Sequence, residues 1–172
     1  MTPQASAPLK TQHFWYAVRT RSNFEKIAAT FLEAKGFKYF LPLYRTRKKW
    51  SDRVVESSAP LFPAYVFSKF CPRETSQILS TPGVVSIVSF AGKPAPITDE
   101  EIEAVERVLH CGKAAEPCSY LSEGQRIRIN QGALCGVEGI LLRKGNWRLV
   151  ISIQLLQRSV AVEIDPDCIS PV

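Results

Sequence analysis

Two groups of residues in this 172-residue chain have types and spacing suited to chemistry, and in both the chemistry is binding rather than bond-making. The run Ala59-Pro60-Leu61-Phe62-Pro63-Ala64-Tyr65-Val66-Phe67 packs three large aromatics and two prolines into nine residues. Pro63 has no N–H to give to a ladder, so it must stand at the start, edge or bulge of a strand. Residues two apart share a strand face, so Tyr65 and Phe67 point one way and Ala64 and Val66 the other. Such an aromatic face can fill a core or anchor a partner, because large rings supply much contact area. The second group is the polar stretch Arg45-Thr46-Arg47-Lys48-Lys49-Trp50-Ser51-Asp52-Arg53, which carries five cations. Desolvating that many like charges is prohibitive, so they face water or an anionic partner.

Bond-making chemistry finds no support. There is no phosphate loop and no G-x-S-x-G, and the only histidines are His13 and His110. The acidic cluster Asp99, Glu100, Glu101 and Glu103 opens a helical pattern, where the macrodipole favours negative charge without any catalytic role. Cys71, Cys111, Cys118, Cys135 and Cys168 contain no C-x-x-C pair and read as reduced thiols. His110, Cys111 and Cys118 fit no common zinc spacing. A non-enzyme is expected, with neither cofactor nor metal.

The net charge of +6 is unevenly placed: residues 1–121 carry 16 Lys+Arg against 11 Asp+Glu, residues 122–172 only 6 against 5. A basic larger part suggests nucleic acid as partner. No stretch approaches the roughly 20 apolar residues that cross a bilayer, and residues 1–12 do not resemble a signal peptide. A soluble, cytoplasmic protein is expected, monomeric and without membrane contact, with residues 1–12 a loose tail.

The positioning elements follow from periodicity. Phe14 to Thr20 alternates as a strand; Ser22 and Glu25 form an S-x-x-E capping box for a helix with Phe24, Ile27, Ala28, Phe31 and Leu32 on its apolar stripe, stopped at Gly36. Tyr39 to Leu43 starts an arm that runs out to the cationic tip and returns through Val54 and Val55, a long hairpin. A short helix follows Pro72, then a strand over Val84 to Phe90. Thr98 and Glu101 form a second capping box, before a helix striped by Ile102, Val105 and Leu109. Residues 111–121 lack periodicity and read as a linker. Beyond them the chain turns to short alternating strands, with inward sets Ile127 and Ile129; Leu149, Ile151, Ile153 and Leu155; and Val160, Val162 and Ile164. A small all-β barrel buries such a set.

Trp15-Tyr16, the L-F-P-x-Y-V-F run and Thr81-Pro82-Gly83-Val84, in that order, resemble the N-terminal (NGN) domain of the NusG family of transcription elongation factors. Glu123 to Ile129 followed by the glycine-punctuated turn Gly132, Gly136 and Gly139 is similar to that family's KOW domain. The resemblance implies an α+β protein: an NGN-like antiparallel sheet flanked by helices over residues 13–110, a linker over 111–121, and an SH3-like KOW barrel over 122–172. It implies docking on the clamp helices of the largest RNA polymerase subunit through Phe62, Pro63 and Tyr65, supported by Phe67 and Tyr16, with suppression of pausing or termination. In such proteins the loop matching Ser80-Thr81-Pro82-Gly83 approaches the non-template DNA strand in the bubble. Arg19, Arg21 and Lys26 are expected to face the same strand, and Arg47, Lys48 and Lys49 to face DNA or polymerase. The L-F-P-x-Y run and the basic arm resemble the specialised RfaH and UpxY type of antiterminator, which acts on chosen operons. A general housekeeping factor and a ribosome- or RNA-associated KOW protein are the alternatives. The barrel's expected partner is a ribosomal protein or the Rho terminator.

Overall fold

The computed structural model describes residues 12–50, 53–119, 124–144 and 146–172; the expected tail therefore lies almost wholly outside the described residues. Strand β1 (Phe14–Thr20) is the centre of the N-terminal sheet. It is followed by α1 (Glu25–Ala34), β2 (Lys38–Phe40), the hairpin β3 (Leu43–Trp50) and β4 (Arg53–Pro60), β5 (Tyr65–Phe70) and α2 (Thr75–Leu79). Then come β6 (Val84–Ile87), the two-residue pair β7 (Ser89–Phe90) and β8 (Lys93–Pro94), β9 (Pro96–Ile97) and α3 (Asp99–His110). The sheet order is β2-β5-β1-β6, with β9 also on β1, and every pairing is antiparallel. The strand expected over Val84 to Phe90 is thus two, parted at Val88.

Strand alternation divides this sheet's side chains into two cores. Tyr16, Val18, Val66 and Phe70 face Ala29 and Leu32 of α1 and Ile78 of α2. Trp15, Ala17 and Phe67 face the other way, with Leu61, Phe62 and Ile97, toward Ile102, Val105 and Val108 of α3. The Thr98 box forms: Thr98 Oγ1 accepts from the Glu101 N–H, and a Glu101 carboxylate oxygen accepts from the Thr98 N–H, both at 3.2 Å. This satisfies two otherwise orphan donors at the start of α3.

The Ser22 box does not form. The residue capping α1 is Phe24, which has no side-chain cap, and Glu25 turns inward and is buried. Nor does α1 bury the expected stripe. Ala28, Ala29 and Leu32 lie against the sheet, while Phe24, Ile27 and Phe31 stay 37–44% exposed on one flank. Small alanines suit close packing on the sheet, and Leu32 joins Phe37 and Ile78 in filling the core on this face.

The C-terminal part is a six-stranded antiparallel sheet of order β10-β14-β13-β12-β11-β15. Its strands are β10 (Ala115–Ser119), β11 (Gln125–Ile129), β12 (Glu138–Lys144), β13 (Asn146–Ile153), β14 (Arg158–Glu163) and β15 (Ile169–Pro171). Ile127, Leu149, Ile153 and Val160 converge on one apolar cluster, so the sheet curls as a small barrel. Residues read as linker thus contain a strand, β10, paired with β14 at the sheet's edge. Pro117 is tolerated there because an edge strand leaves one row of backbone groups unpaired. The cluster that fills the barrel is continuous with the α3 face of the N-terminal sheet.

Candidate docking interface

The aromatic run makes a tight turn at one end of the N-terminal sheet. The Tyr65 N–H donates to the Phe62 carbonyl at 3.1 Å, closing a β-turn around Pro63 and Ala64. Ala64 has φ +66°. Proline cannot take a positive φ, so the turn is type II, whose second central position favours Gly or Asn. Alanine there costs about 1–2 kcal/mol in backbone strain. Two anchors hold it: the Ala64 N–H donates to a Glu25 carboxylate oxygen at 2.7 Å, and the Ala64 carbonyl accepts from the Thr20 N–H at 2.9 Å.

The same anchors bring several expected site residues together. Arg19 lies opposite Tyr65 in the β1–β5 register. The next residue but one, Arg21, donates its N–H to the Gly83 carbonyl at 2.9 Å, tying the 80–83 loop to the end of β1. Gly83 has φ +85°, and a Cβ there would lie 3.0 Å from the Phe24 ring, so glycine is favoured by both conformation and space. Pro63, Arg19, Arg21 and Ser80 are exposed around this end, and Tyr65 is half-buried.

Other expected residues are placed differently. Phe62 and Phe67 are fully buried, packed edge to face with ring centroids 5.4 Å apart, so they shape the turn from beneath. Tyr16 is on the opposite sheet face, stacked on Phe70 at 4.5 Å, and burial pushes its hydroxyl pKa up. Thr81 is buried. Its hydroxyl accepts from the Lys35 ammonium at 3.0 Å and donates to the Gln77 carbonyl at 3.1 Å, while the same ammonium reaches Ser80 Oγ at 3.1 Å. Lys26 reaches the foot of the hairpin, donating to Ser58 Oγ at 2.9 Å. Farther out, Arg47 pairs with Glu56 at 3.3 Å with both side chains largely exposed. The side chains of Lys48 and Lys49 lie outside the described part. Their strand is paired with β4, so the arm expected from sequence is a two-stranded ribbon.

Sequence reasoning did not find the residues at the seam with the barrel. Arg158 of β14 lies over the Tyr65 ring, 5.5 Å from its centroid. Arg107 of α3 donates to the Cys135 carbonyl, and the Gln154 N–H donates to Glu101 at 3.3 Å. A cleft of about 680 Å³ runs along this seam between α3 and the barrel, and none of the expected docking residues lines it. The candidate site is therefore a surface, half covered at Tyr65, rather than a pocket. On the edge of α3, Lys69 joins Asp99 at 2.7 Å, and this hydrogen bond holds the Asp99 carboxyl below its ordinary pKa. In the barrel, Gly132 and Gly136 have positive φ, and a Cβ on Gly139 would lie 2.5 Å from the Val150 carbonyl oxygen.

Residues 13–106, more than half of the chain, match the family described as Transcription termination factor nusG. The chain belongs to the NusG family. Its curated NusG relatives include the Transcription termination/antitermination protein NusG of Escherichia coli K12, 26% identical over 166 residues that cover 88% of this chain and 92% of that one. The protein of the same name from Buchnera aphidicola subsp. Baizongia pistaciae is 28% identical with the same coverage. A solved Thermotoga maritima NusG structure, described by its domain interaction, has the same fold: TM-score 0.54 at 20% identity, covering 94% of this chain and 98% of that one. The NusG family is one of transcription factors, and the mixed α+β sheet followed by an all-β sheet is the NusG architecture. Among the described residues no helix is long and apolar enough to cross a membrane.

Proposed function

We propose that this NusG-family chain is a non-enzymatic, operon-specific antitermination factor that docks on the clamp helices of RNA polymerase and suppresses pausing or termination. The observation that carries the reading is the anchored Phe62-Pro63-Ala64-Tyr65 turn. It presents exposed Pro63 and half-buried Tyr65 as one rigid surface, beside Arg19, Arg21 and the Ser80 loop. An aromatic anchor ringed by cations suits a protein contact adjoining a nucleic-acid strand. Arg19 and Arg21 contact the non-template strand, and the β3–β4 ribbon extends the cationic surface. Docking requires Tyr65 to leave Arg158, so the free chain is closed at this seam and the polymerase-bound form is open. Residues 13–110 and 122–172 act as separable NGN and KOW domains. The protein works in the cytoplasm, and its barrel recruits a ribosomal protein or Rho.

A general housekeeping factor is the second reading, favoured by relatives named termination/antitermination protein that align over nearly their whole length. Chromatin immunoprecipitation of the tagged protein separates the two. Occupancy confined to a few transcription units supports the specialised factor; occupancy across all transcribed genes supports the general one. Failure to recover polymerase at all contradicts both.

A further inference from the structure

We infer that Glu25 is the positioning residue of the docking turn, and that the alanine at position 64 makes it necessary. The inference rests on the docking reading for its consequence but on geometry for its content. A type II turn differs from type I mainly by a flip of its central peptide, here Pro63–Ala64, and alanine at the second central position favours type I. The N–H of that very peptide is the group that donates to the Glu25 carboxylate at 2.7 Å. Flipping the peptide would turn the N–H away and leave the carboxylate of a buried residue, Glu25, without this partner.

Glu25 is well placed for the task. It is the first residue of α1, where the helix dipole favours a carboxylate, and it is buried with Ala28, Ala29 and Leu32 of the same helix. The Thr20 N–H bond to the Ala64 carbonyl fixes the following peptide, so consecutive peptides are held from β1 and from α1. Together they set the direction in which Pro63 and Tyr65 project. A glycine at position 64 would adopt positive φ freely and hold type II without help. Glu25 and Ala64 are therefore coupled: the carboxylate matters as far as residue 64 resists the turn.

The test uses the full chain and four variants: Glu25→Ala, Glu25→Gln, Ala64→Gly and the double variant Glu25→Ala/Ala64→Gly. Two readouts are taken on each: hydrogen exchange of the residue 64 amide, and affinity for purified RNA polymerase. Glu25→Ala should speed exchange at residue 64 by at least tenfold and weaken polymerase binding about tenfold. Glu25→Gln, which keeps an acceptor oxygen, should stay within about threefold of the parent in both. Ala64→Gly supplies the reference affinity for the coupling, and the double variant should bind within about threefold of it. Parent-like exchange and affinity in Glu25→Ala would overturn the assignment, and so would a loss of binding that Ala64→Gly leaves unrestored. Should Glu25→Ala fail to fold, Glu25→Gln and the double variant still decide: exchange in Glu25→Gln as fast as in an unfolded chain counts against it. If the parent itself does not bind polymerase, the docking reading falls, and the exchange data alone decide whether Glu25 holds the turn.

Discussion

At residue 64 the chain carries a strain that its own sequence could relieve. Ala64→Gly removes the αL penalty but also frees the unfolded backbone, so a net gain of about 0.5–1 kcal/mol is expected, seen as a rise of a few degrees in thermal midpoint. Phe62 and Tyr65, which look alike in sequence, should separate experimentally. Phe62→Ala empties a fully buried site and should cost about 3–5 kcal/mol of stability, so any lost binding would be secondary to unfolding. Tyr65→Ala, at a half-buried position, should keep the fold and lose affinity instead. Urea titration of both variants beside polymerase binding distinguishes the two effects. Gly139→Ala forces a methyl to within 2.5 Å of a backbone oxygen and should destabilise the barrel by about 1–3 kcal/mol, read from barrel amides in hydrogen exchange.

The elements show which of these distinctions the sequence carried. Alternation in β1 and β5 correctly assigned side chains to faces, because a period of two leaves little freedom once a strand pairs. It could not say that both faces are covered; the family resemblance joined Tyr16 to Tyr65, which lie on opposite sides. The Ser22-x-x-Glu25 pattern looks the same as Thr98-x-x-Glu101, yet only the second is a capping box. A donor 39 residues away, the Ala64 N–H, takes the Glu25 carboxylate, and no local rule can see that. Likewise the apolar stripe of α1 was legible but its buried side was not, since the close approach of Ala28 and Ala29 depends on the sheet beneath. The β3–β4 ribbon is different: its pairing was readable from charge flanked by alternation, and the role proposed for it is electrostatic. Replacing Arg47, Lys48 and Lys49 by Ala should leave thermal stability within about 0.5 kcal/mol, as is usual for surface sites. It should weaken binding to an elongation complex and flatten the salt dependence by about 0.7–0.9 for each phosphate that is no longer neutralised. An unchanged salt slope would return the ribbon to a solvated arm.

For the whole molecule, the seam decides what the docking surface can do. Apolar residues run without a break from Phe67 through α3 into the barrel, and Arg158 lies over Tyr65, so the docking proposed at the turn would have to displace Arg158. Arg158→Ala, which removes the cation above the ring and leaves the apolar cluster intact, should raise affinity for polymerase several-fold. The barrel also explains why the segment before it read as a linker but folds as strand β10. Its structure comes from pairing with β14, far ahead in the chain, and not from its own periodicity. Polymerase docking at the turn from Phe62 to Tyr65 underlies the proposed function. Its most direct test is the equilibrium affinity of purified RNA polymerase for the full chain and for Tyr65→Ala, measured beside their thermal midpoints. Docking through Tyr65 requires a loss of about 1–4 kcal/mol in binding, the range of a buried aromatic anchor, with a midpoint near that of the parent; equal affinity of a folded Tyr65→Ala variant and the parent would rule it out.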